Sequence, residues 1–284
     1  MRKHIAIIEG NHEGLVGYRD GSLYGAAEGF ADMLRACAAQ SETEIALDFT
    51  IIRPHFADHH VSSDMFDDCD GVVFTGSANR WSADEAEAAP ARQVMARALD
   101  TALPVFGSCY GLQLAVAVLG GENRANPKRT EFAIARDITL SAEGKKHALY
   151  QGKATVFDAR CMHRDEIARL PSGAVSLSYN DHSMHQAMAY ETGGVQFWGV
   201  QYHPELQFQD IANYIKHNDV NSFEDARYLA SQLGISDNVT EICADFMRLD
   251  KEDDAALQKK YQLSEALINK QAHRIELVNF LKQL

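Results

Sequence analysis

The chain has 284 residues, of which 46% are hydrophobic and 9% aromatic, and it carries a formal net charge of −13 at pH 7. This composition is typical of a globular protein with one sizeable core and a smaller appendage. The acidic balance and the lack of a basic stripe argue against nucleic-acid binding. No sequence run approaches eighteen uninterrupted apolar residues, so we expect no membrane span. The N-terminus is predicted to form a strand, at residues 4–8, rather than a signal peptide. Five irregularly spaced cysteines argue against a disulfide framework and favour a cytoplasmic location.

Short apolar strands alternate with helices in the first half of the chain. Strands are predicted at residues 4–8, 45–52, 71–75 and 103–106. The helices between them are predicted at residues 25–39, 83–100 and 110–119. Such alternation predicts an α/β fold whose sheet is mainly parallel and is flanked by helices on both faces.

From about residue 132 the pattern is richer in strands. They are predicted at residues 132–140, 154–159, 174–179, 185–190 and 195–202. Because turns rather than helices join these strands, we expect them to extend the sheet in antiparallel fashion. The result is a mixed sheet.

The last part of the chain has helical periodicity, in residues 209–217, 222–234, 237–250 and 253–283. Ser222 followed by Asp225 resembles a capping box. The apolar residues of the last segment can form a stripe along one or two helices: Leu257, Tyr261, Leu267, Ile268, Ile275, Val278 and Leu281. We expect this extension to pack on the preceding domain. Dimerisation through these helices, or a cover over the mouth of the site, are the alternatives.

One predicted strand–helix junction contains a candidate nucleophile. The apolar strand before it stops at Cys109, between Gly107 and Gly111, and residues 112–119 predict a buried helix. A strand, a sharp turn bearing a nucleophile and a helix make up a nucleophile elbow. The glycines allow the tight turn, and the positive end of the helix dipole favours the thiolate. A buried core cysteine is the alternative.

A second strand ends in His203, Pro204 and Glu205. In an extended segment residues two apart lie on the same side, so His203 and Glu205 are expected to face one way. A thiol needs a base to accept its proton, and that base needs a third group to orient it. Together with the elbow, this pair predicts a Cys-His-Glu triad rather than a histidine without a role.

These motifs resemble those of the class I glutamine amidotransferase family, most closely its GMP synthetase-like branch. The family's Gly-x-Cys-x-Gly-x-Gln elbow is matched at Gly107, Cys109, Gly111 and Gln113, and its distal His-Pro-Glu at residues 203–205. Further matching segments lie at residues 118–121, 131–132, 163–165 and 170–171. The match covers residues 1–208 and implies a flavodoxin-like architecture, with residues 209–284 as a helical extension. Cys109 would then lie at the carboxyl end of a central strand, where such sheets bind ligands.

The resemblance also implies a mechanism. Cys109 would attack the amide carbon of glutamine or another γ-glutamyl amide, with His203 as the base and Glu205 as its partner. The tetrahedral oxyanion needs preorganised donors. The family places them at the backbone of Tyr110 and in the turn at Gly76, where this loop departs from the usual Gly-Gly-Pro.

Three residues match positions that hold the substrate in relatives. Gln113 lies one helical turn past Cys109, and a buried polar residue that bonds the backbone is an equal alternative for it. His163 and Arg164 match the loop at the amino-acid end of glutamine, where Arg164 replaces a small residue. No cofactor or metal is expected, because the histidines at 55–60 and 182–185 lack metal-site spacing and no phosphate loop is present.

The sequence therefore favours a free-standing hydrolase of a γ-glutamyl amide, a small molecule that a glutamine synthetase-like partner would make. The altered loop at Gly76, Arg164 and the helical extension favour this function. A glutaminase subunit that passes ammonia to a separate synthetase partner is the alternative. A non-hydrolytic protein on the same scaffold is a third, against which the intact Cys109, His203 and Glu205 argue.

Overall fold

The computed structural model describes residues 1–40, 45–217 and 220–284. The strands within these ranges are β1 (Arg2–Ile8), β2 (Gly17–Arg19), β3 (Ser22–Tyr24), β4 (Ala46–Ile52), β5 (Gly71–Phe74), β6 (Pro104–Ser108), β7 (Glu122–Ala125), β8 (Glu131–Leu140), β9 (Val156–His163), β10 (Asp165–Arg169), β11 (Val175–Tyr179), β12 (Ala187–Tyr190) and β13 (Gln196–Val200). The α-helices are α1 (Ala26–Ala38), α2 (Ala89–Leu99), α3 (Tyr110–Val118), α4 (Phe208–His217), α5 (Val220–Leu233), α6 (Val239–Leu249), α7 (Ala255–Lys260), α8 (Glu265–Ile268), α9 (Lys270–His273) and α10 (Ile275–Leu281).

Nine of these strands form one mixed sheet in the order β4-β1-β5-β6-β13-β12-β11-β8-β9. The strands from β4 to β13 are parallel, and those from β12 to β9 continue the sheet in antiparallel fashion. All four residues of β5 are buried, as expected for a parallel strand with helices on both faces. The predicted mixed sheet flanked by helices is confirmed.

The sheet order brings three chain segments together. β6 lies between β5 and β13, and all three run in the same direction. Because parallel neighbours end at the same edge of a sheet, the segments that follow these strands meet there. Those segments carry Gly76, Cys109 and His203.

Some element boundaries differ from the sequence prediction. The helix predicted at 83–100 begins only at Ala89, after a short 3-10 turn, with Pro90 in its first turn. Proline favours that position because the first N–H groups of a helix have no partner within it. The hairpin of β2 with β3 and the pair of β7 with β10 were not predicted. β2, β3 and β7 have only three or four residues, mostly exposed or half-buried. Strands this short show little of the alternation between apolar and polar residues by which a strand is predicted.

Within the described ranges, buried apolar side chains form three cores. The first lies between one face of the sheet, α1 and α10, where Phe106 contacts the rings of Phe30 and Phe280 at 6.3 and 5.5 Å between centroids. The second lies on the other face, under α2 and α3. The third joins β8 to helices α4 to α8 through residues such as Phe208 and Phe246. The C-terminal helices therefore pack on the sheet at two separate places.

Two expectations about the C-terminal part were wrong. The segment 253–283 forms four short helices, and its apolar residues divide between cores: Leu257, Tyr261 and Leu267 in the third, Leu281 in the first. The stripe is broken because the chain crosses from one core to the other. Ser222 lies inside α5, which begins at Val220, so it does not cap that helix. Among the described residues, none of the helices combines the length and apolar character needed to cross a membrane.

Replacing Phe280 with Ala tests whether the last helix is part of the main core. Phe280 is 1% exposed, and truncating a buried Phe to Ala costs about 3–5 kcal/mol of unfolding free energy. We expect such a loss in chemical denaturation. The control is Ile268→Ala, because Ile268 is 37% exposed and an exposed site changes stability by about 0.5 kcal/mol or less. Equal effects of the two variants would contradict the assignment of Phe280 to the core.

Candidate active site

Cys109 has a strained backbone at the start of α3. Its φ is 48° and its ψ −100°, a conformation that costs a non-glycine residue about 1–3 kcal/mol and is typical of functional sites. The N–H of Cys109 donates to the carbonyl of Val200 on β13 at 2.8 Å. A methyl group at Gly107 would lie 2.7 Å from the carbonyl carbon of Gly111. Only glycine at 107 lets α3 turn back so closely on β6.

His203 and Glu205 meet as the two-residue spacing predicts. Nδ1 of His203 lies 2.6 Å from Oε1 of Glu205, and both side chains are buried. Burial alone would lower the pKa of His203. The charges of Glu205 and Cys109, with hydrogen bonding to both, instead raise that pKa well above its ordinary value. The imidazole is therefore well placed to accept a second proton beside the thiol.

Ser108 is a member of this cluster that sequence reasoning missed. Its hydroxyl lies 2.9 and 3.0 Å from the two carboxylate oxygens of Glu205 and 3.4 Å from Nδ1 of His203. Ser108 is fully buried. A hydroxyl that donates to a carboxylate restricts its rotation, so Ser108 holds Glu205 toward His203. In the sequence, the only signal for this role of Ser108 was its position directly before the predicted nucleophile.

The turn after β5 lies against the thiol and the imidazole. A methyl group at Gly76 would lie 2.5 Å from Cε1 of His203 and 3.6 Å from Cβ of Cys109. The hydroxyl of Thr75 donates to the carbonyl of Gly76 at 2.8 Å and accepts from the N–H of Gly10 at 2.9 Å. This loop is thus held with its backbone beside Cys109. Tyr110 is the first residue of α3, where backbone N–H groups have no partner within the helix.

Gln113 connects to the thiol through a second glutamine. Its Nε2 donates to the carbonyl of Asp165 at 3.2 Å and to Oε1 of Gln201 at 3.3 Å. Nε2 of Gln201 in turn donates to Sγ of Cys109 at 3.6 Å. Gln113 therefore bonds the backbone, as one sequence alternative had it, and also lines the cavity of the site. Gln201, fully buried, was missed.

The ring nitrogens of His163 are both engaged inside the protein. Nε2 lies 2.7 Å from Oε2 of Glu131, and Nδ1 lies 3.0 Å from the carbonyl of Asp165. Burial acts to raise the pKa of Glu131, but hydrogen bonds and charge from His163 outweigh it and the pKa is lowered. Contacts between His163 and a ligand would therefore go through its backbone.

Arg164 lies exposed at the wall of the site. Its Nε and Nη2 donate to the two carboxylate oxygens of Asp165 at 2.8 and 3.1 Å, and its Nη1 donates to the carbonyl of Arg80 at 2.8 Å. Asp165 also accepts from the hydroxyl of Ser82. Arg164 lies between β9 and β10, so its guanidinium is held both by the first residue of β10 and by the loop that follows β5.

All eight sequence-predicted site residues line one cavity of about 1440 Å³: Gly76, Cys109, Tyr110, Gln113, His163, Arg164, His203 and Glu205. Cavities for small ligands usually measure about 300–1,000 Å³. Side chains of α1, α4 and α5 form its outer walls. The C-terminal helices therefore both pack on the sheet and border the mouth of the site.

Among the described residues, no group of three or more His, Cys, Asp and Glu side chains is placed to hold a metal ion. The ring of His55 lies 5.7 Å from that of Trp81. Burial, with the charges of His12 and His59, lowers the pKa of His55 to about 4, so this ring is neutral at pH 7.

The sequence profile of the family described as glutamine amidotransferase class-I matches residues 31–220. The chain belongs to this family. It is 35% identical over 164 residues to gamma-glutamyl-L-1-hydroxyisopropylamide hydrolase of a Pseudomonas species, and the match covers 56% of this chain and 55% of the relative. It is 33% identical over 122 residues to one subunit of the glutamine-hydrolyzing GMP synthase of Methanocaldococcus jannaschii, covering 43% and 61% of the two chains. The chain thus spans little more than half the length of these relatives.

Solved structures share the fold. The crystal structure of a glutamine amidotransferase from Methylobacillus flagellatus aligns with a TM-score of 0.61 at 16% identity, covering 100% of this chain and 96% of that one. At this identity the likeness shows the fold alone. The α/β architecture expected from the motifs is therefore confirmed.

Replacing Glu205 with Gln tests what sets the charge state of His203. Because the carboxylate favours the imidazolium, its loss is expected to lower the pKa of His203 by about 1–3, measured by NMR titration of the imidazole. The control is Ser108→Ala, which keeps the carboxylate charge and should change this pKa much less. An unchanged His203 pKa in Glu205→Gln would refute the electrostatic origin.

Proposed function

We propose that the chain hydrolyses a γ-glutamyl amide through a triad of Cys109, His203 and Glu205. The observation that carries the proposal is the 2.6 Å contact between His203 and Glu205 beside a cysteine at a strained elbow. Membership of the class I amidotransferase family supports cysteine chemistry on an amide. The relative that is named as a hydrolase of a γ-glutamyl amide supports the substrate class.

The first half of the reaction forms a thioester. Sγ of Cys109 attacks the γ-carbonyl carbon, and the thiol proton passes to Nε2 of His203. The C–N bond then breaks as His203 returns this proton to the amine nitrogen, so the amine leaves neutral. Glu205 stabilises the imidazolium that exists between these two transfers.

The oxyanion would lie between two backbone segments. The N–H of Tyr110 at the start of α3 is one donor, and the backbone of Gly76 is the other. Removing one oxyanion-hole donor from a serine protease costs about 10²–10³ in kcat. The short approach of Gly76 to both Cys109 and His203 supports its place in the oxyanion hole.

The second half of the reaction releases glutamate. Water, deprotonated by His203, attacks the thioester carbon and Cys109 leaves as thiolate. Arg164 uses three of its five N–H groups within the protein, so two remain for the α-carboxylate of the glutamyl group. We place the backbone of His163 at the same end, and Gln113 behind the thiol, where it orients Gln201.

The size of the cavity supports an amide larger than glutamine. At about 1440 Å³ it exceeds what one glutamine side chain and its amino-acid end require. The space between α1, α4 and α5 would then hold the leaving amine. A glutamine synthetase-like partner that makes the amide, and a homodimer through the C-terminal helices, stay predictions.

A role as the glutaminase component of a larger enzyme is the second candidate. The similarity to one subunit of a GMP synthase favours a chain that hydrolyses glutamine and passes ammonia to a separate synthetase. In that case glutamine would be the substrate, and the synthetase would raise its turnover. The chemistry at Cys109 would be the same.

The test is glutamate release from a panel of γ-glutamyl amides and glutamine by the pure protein. We expect turnover of at least one amide without a partner, and a mass increase of one glutamyl group on Cys109 when the reaction is quenched in acid. Cys109→Ala should abolish both. The matched control is Cys161→Ala, since Cys161 is buried in the first core and should leave the thioester in place.

Two results would overturn this proposal. Glutamate release that survives in Cys109→Ala would remove the nucleophile. Turnover of glutamine alone, and only with an added synthetase, would establish the second candidate instead.

A further inference from the structure

A buried guanidinium on the wall of the cavity has no partner among the residues that the structure describes. Arg274, between α9 and α10, is 7% exposed and lines the cavity that contains Cys109. Its Nε has no hydrogen bond, and within the described part of the chain no side chain or carbonyl pairs with this guanidinium. A buried cation without a partner is costly, and native proteins rarely keep one without a function.

The neighbouring buried cations are each paired. Nζ of Lys153 lies 3.0 Å from the carboxylate of Glu276, and the guanidinium of Arg160 lies 3.6 Å from the carboxylate of Asp250. Burial lowers the pKa of His273 well below its ordinary value, and the charges of Arg160, Lys153 and Arg274 lower it further. His273 is therefore neutral and adds no competing positive charge. Arg274 is the cation of this group that lacks an anion.

Arg274 lies on the histidine side of the site. Nε2 of His273, the preceding residue, lies 3.3 Å from the carbonyl of Leu206, which directly follows Glu205. On its other side, the charge of Arg274 acts on the thiol of Cys37 in α1. Arg274 thus lies near both α1 and the segment that carries His203. In the proposed reaction the leaving amine takes its proton from His203, so it too must lie on this side.

We propose that Arg274 binds a carboxylate on the leaving amine, so that the preferred substrates are γ-glutamyl conjugates of amino acids. This inference rests on the proposed hydrolysis and names its substrate class. A carboxylate matches a guanidinium with two parallel N–H···O bonds. Bound there, it supplies the missing anion and holds the amide nitrogen toward His203. Arg164, which lines the same cavity, stays available for the glutamyl group.

The experiment compares two matched series of substrates with the full chain. One series is γ-glutamyl conjugates of glycine, 3-aminopropanoate, 4-aminobutanoate and 5-aminopentanoate; the other is the n-alkylamides of equal length. We expect at least one conjugate to have a kcat/KM about tenfold or more above its alkylamide, since bonds to charged groups are worth that much. Arg274→Gln should remove this preference and leave the alkylamide rates within about twofold.

Arg19→Gln is the matched control. Arg19 also lines the cavity, but it is exposed and paired with Asp32 at 3.0 Å, so its loss should leave the preference unchanged. Thermal unfolding of the ligand-free proteins checks the fold. Arg274→Gln should be as stable as the unaltered chain or more so, because an unpaired buried charge has been removed.

Binding separates this inference from the proposed reaction. Calorimetry of both series with Cys109→Ala needs no turnover and should show tighter binding of a conjugate, lost in the double variant with Arg274→Gln. If a conjugate binds more tightly than its alkylamide but the unaltered chain turns over no amide, the proposed hydrolysis is refuted and the carboxylate site is retained. Equal affinities for the two series, or an equal loss of rate on both in Arg274→Gln, would overturn the carboxylate site.

Discussion

The parallel pairing of β6 with β13 is the constraint on which the candidate site depends. Gly107 lies beside Gly199 and Ser108 beside Val200, and the N–H of Cys109 adds one more bond, to the carbonyl of Val200. Both strands end at the same edge, so the segments carrying the thiol and the imidazole meet there. Because a slip of one residue would turn every side chain of a strand to the other face, the register of this pair sets the distance between them.

The elbow is strained, and its surroundings hold that strain in place. A methyl group at Gly111 would lie 2.6 Å from Cβ of Phe74, so α3 approaches β5 as closely as it approaches β6. The burial of residues such as Leu112 and Val116 on α3 offsets the cost of the conformation at Cys109. The thiol is therefore preorganised before any substrate binds.

The C-terminal helices also support the site. The carbonyl of Arg160 accepts from the N–H of His203 at 2.8 Å, and its guanidinium donates to the carbonyls of Leu206 and Leu267 at 3.0 and 3.1 Å. One buried side chain thus ties the segment that follows β13 to α8. A region without any catalytic motif in its sequence is thus linked through Arg160 to the segment that carries the imidazole, and it also forms part of the cavity wall.

The sequence by itself determined the mixed sheet, the elbow at Cys109 and the shared orientation of His203 and Glu205, because each depends on signals within a few residues: alternation, flanking glycines and a spacing of two. Tertiary structure alone decided the contact of Ser108 with Glu205, the link from Gln113 through Gln201 to the thiol, and the lack of a partner for the Arg274 guanidinium within the described ranges. These contacts join side chains as many as 97 positions apart, and no local pattern encodes them. The division of residues 253–283 into four helices has the same origin, since each short helix ends where the chain leaves one core for another.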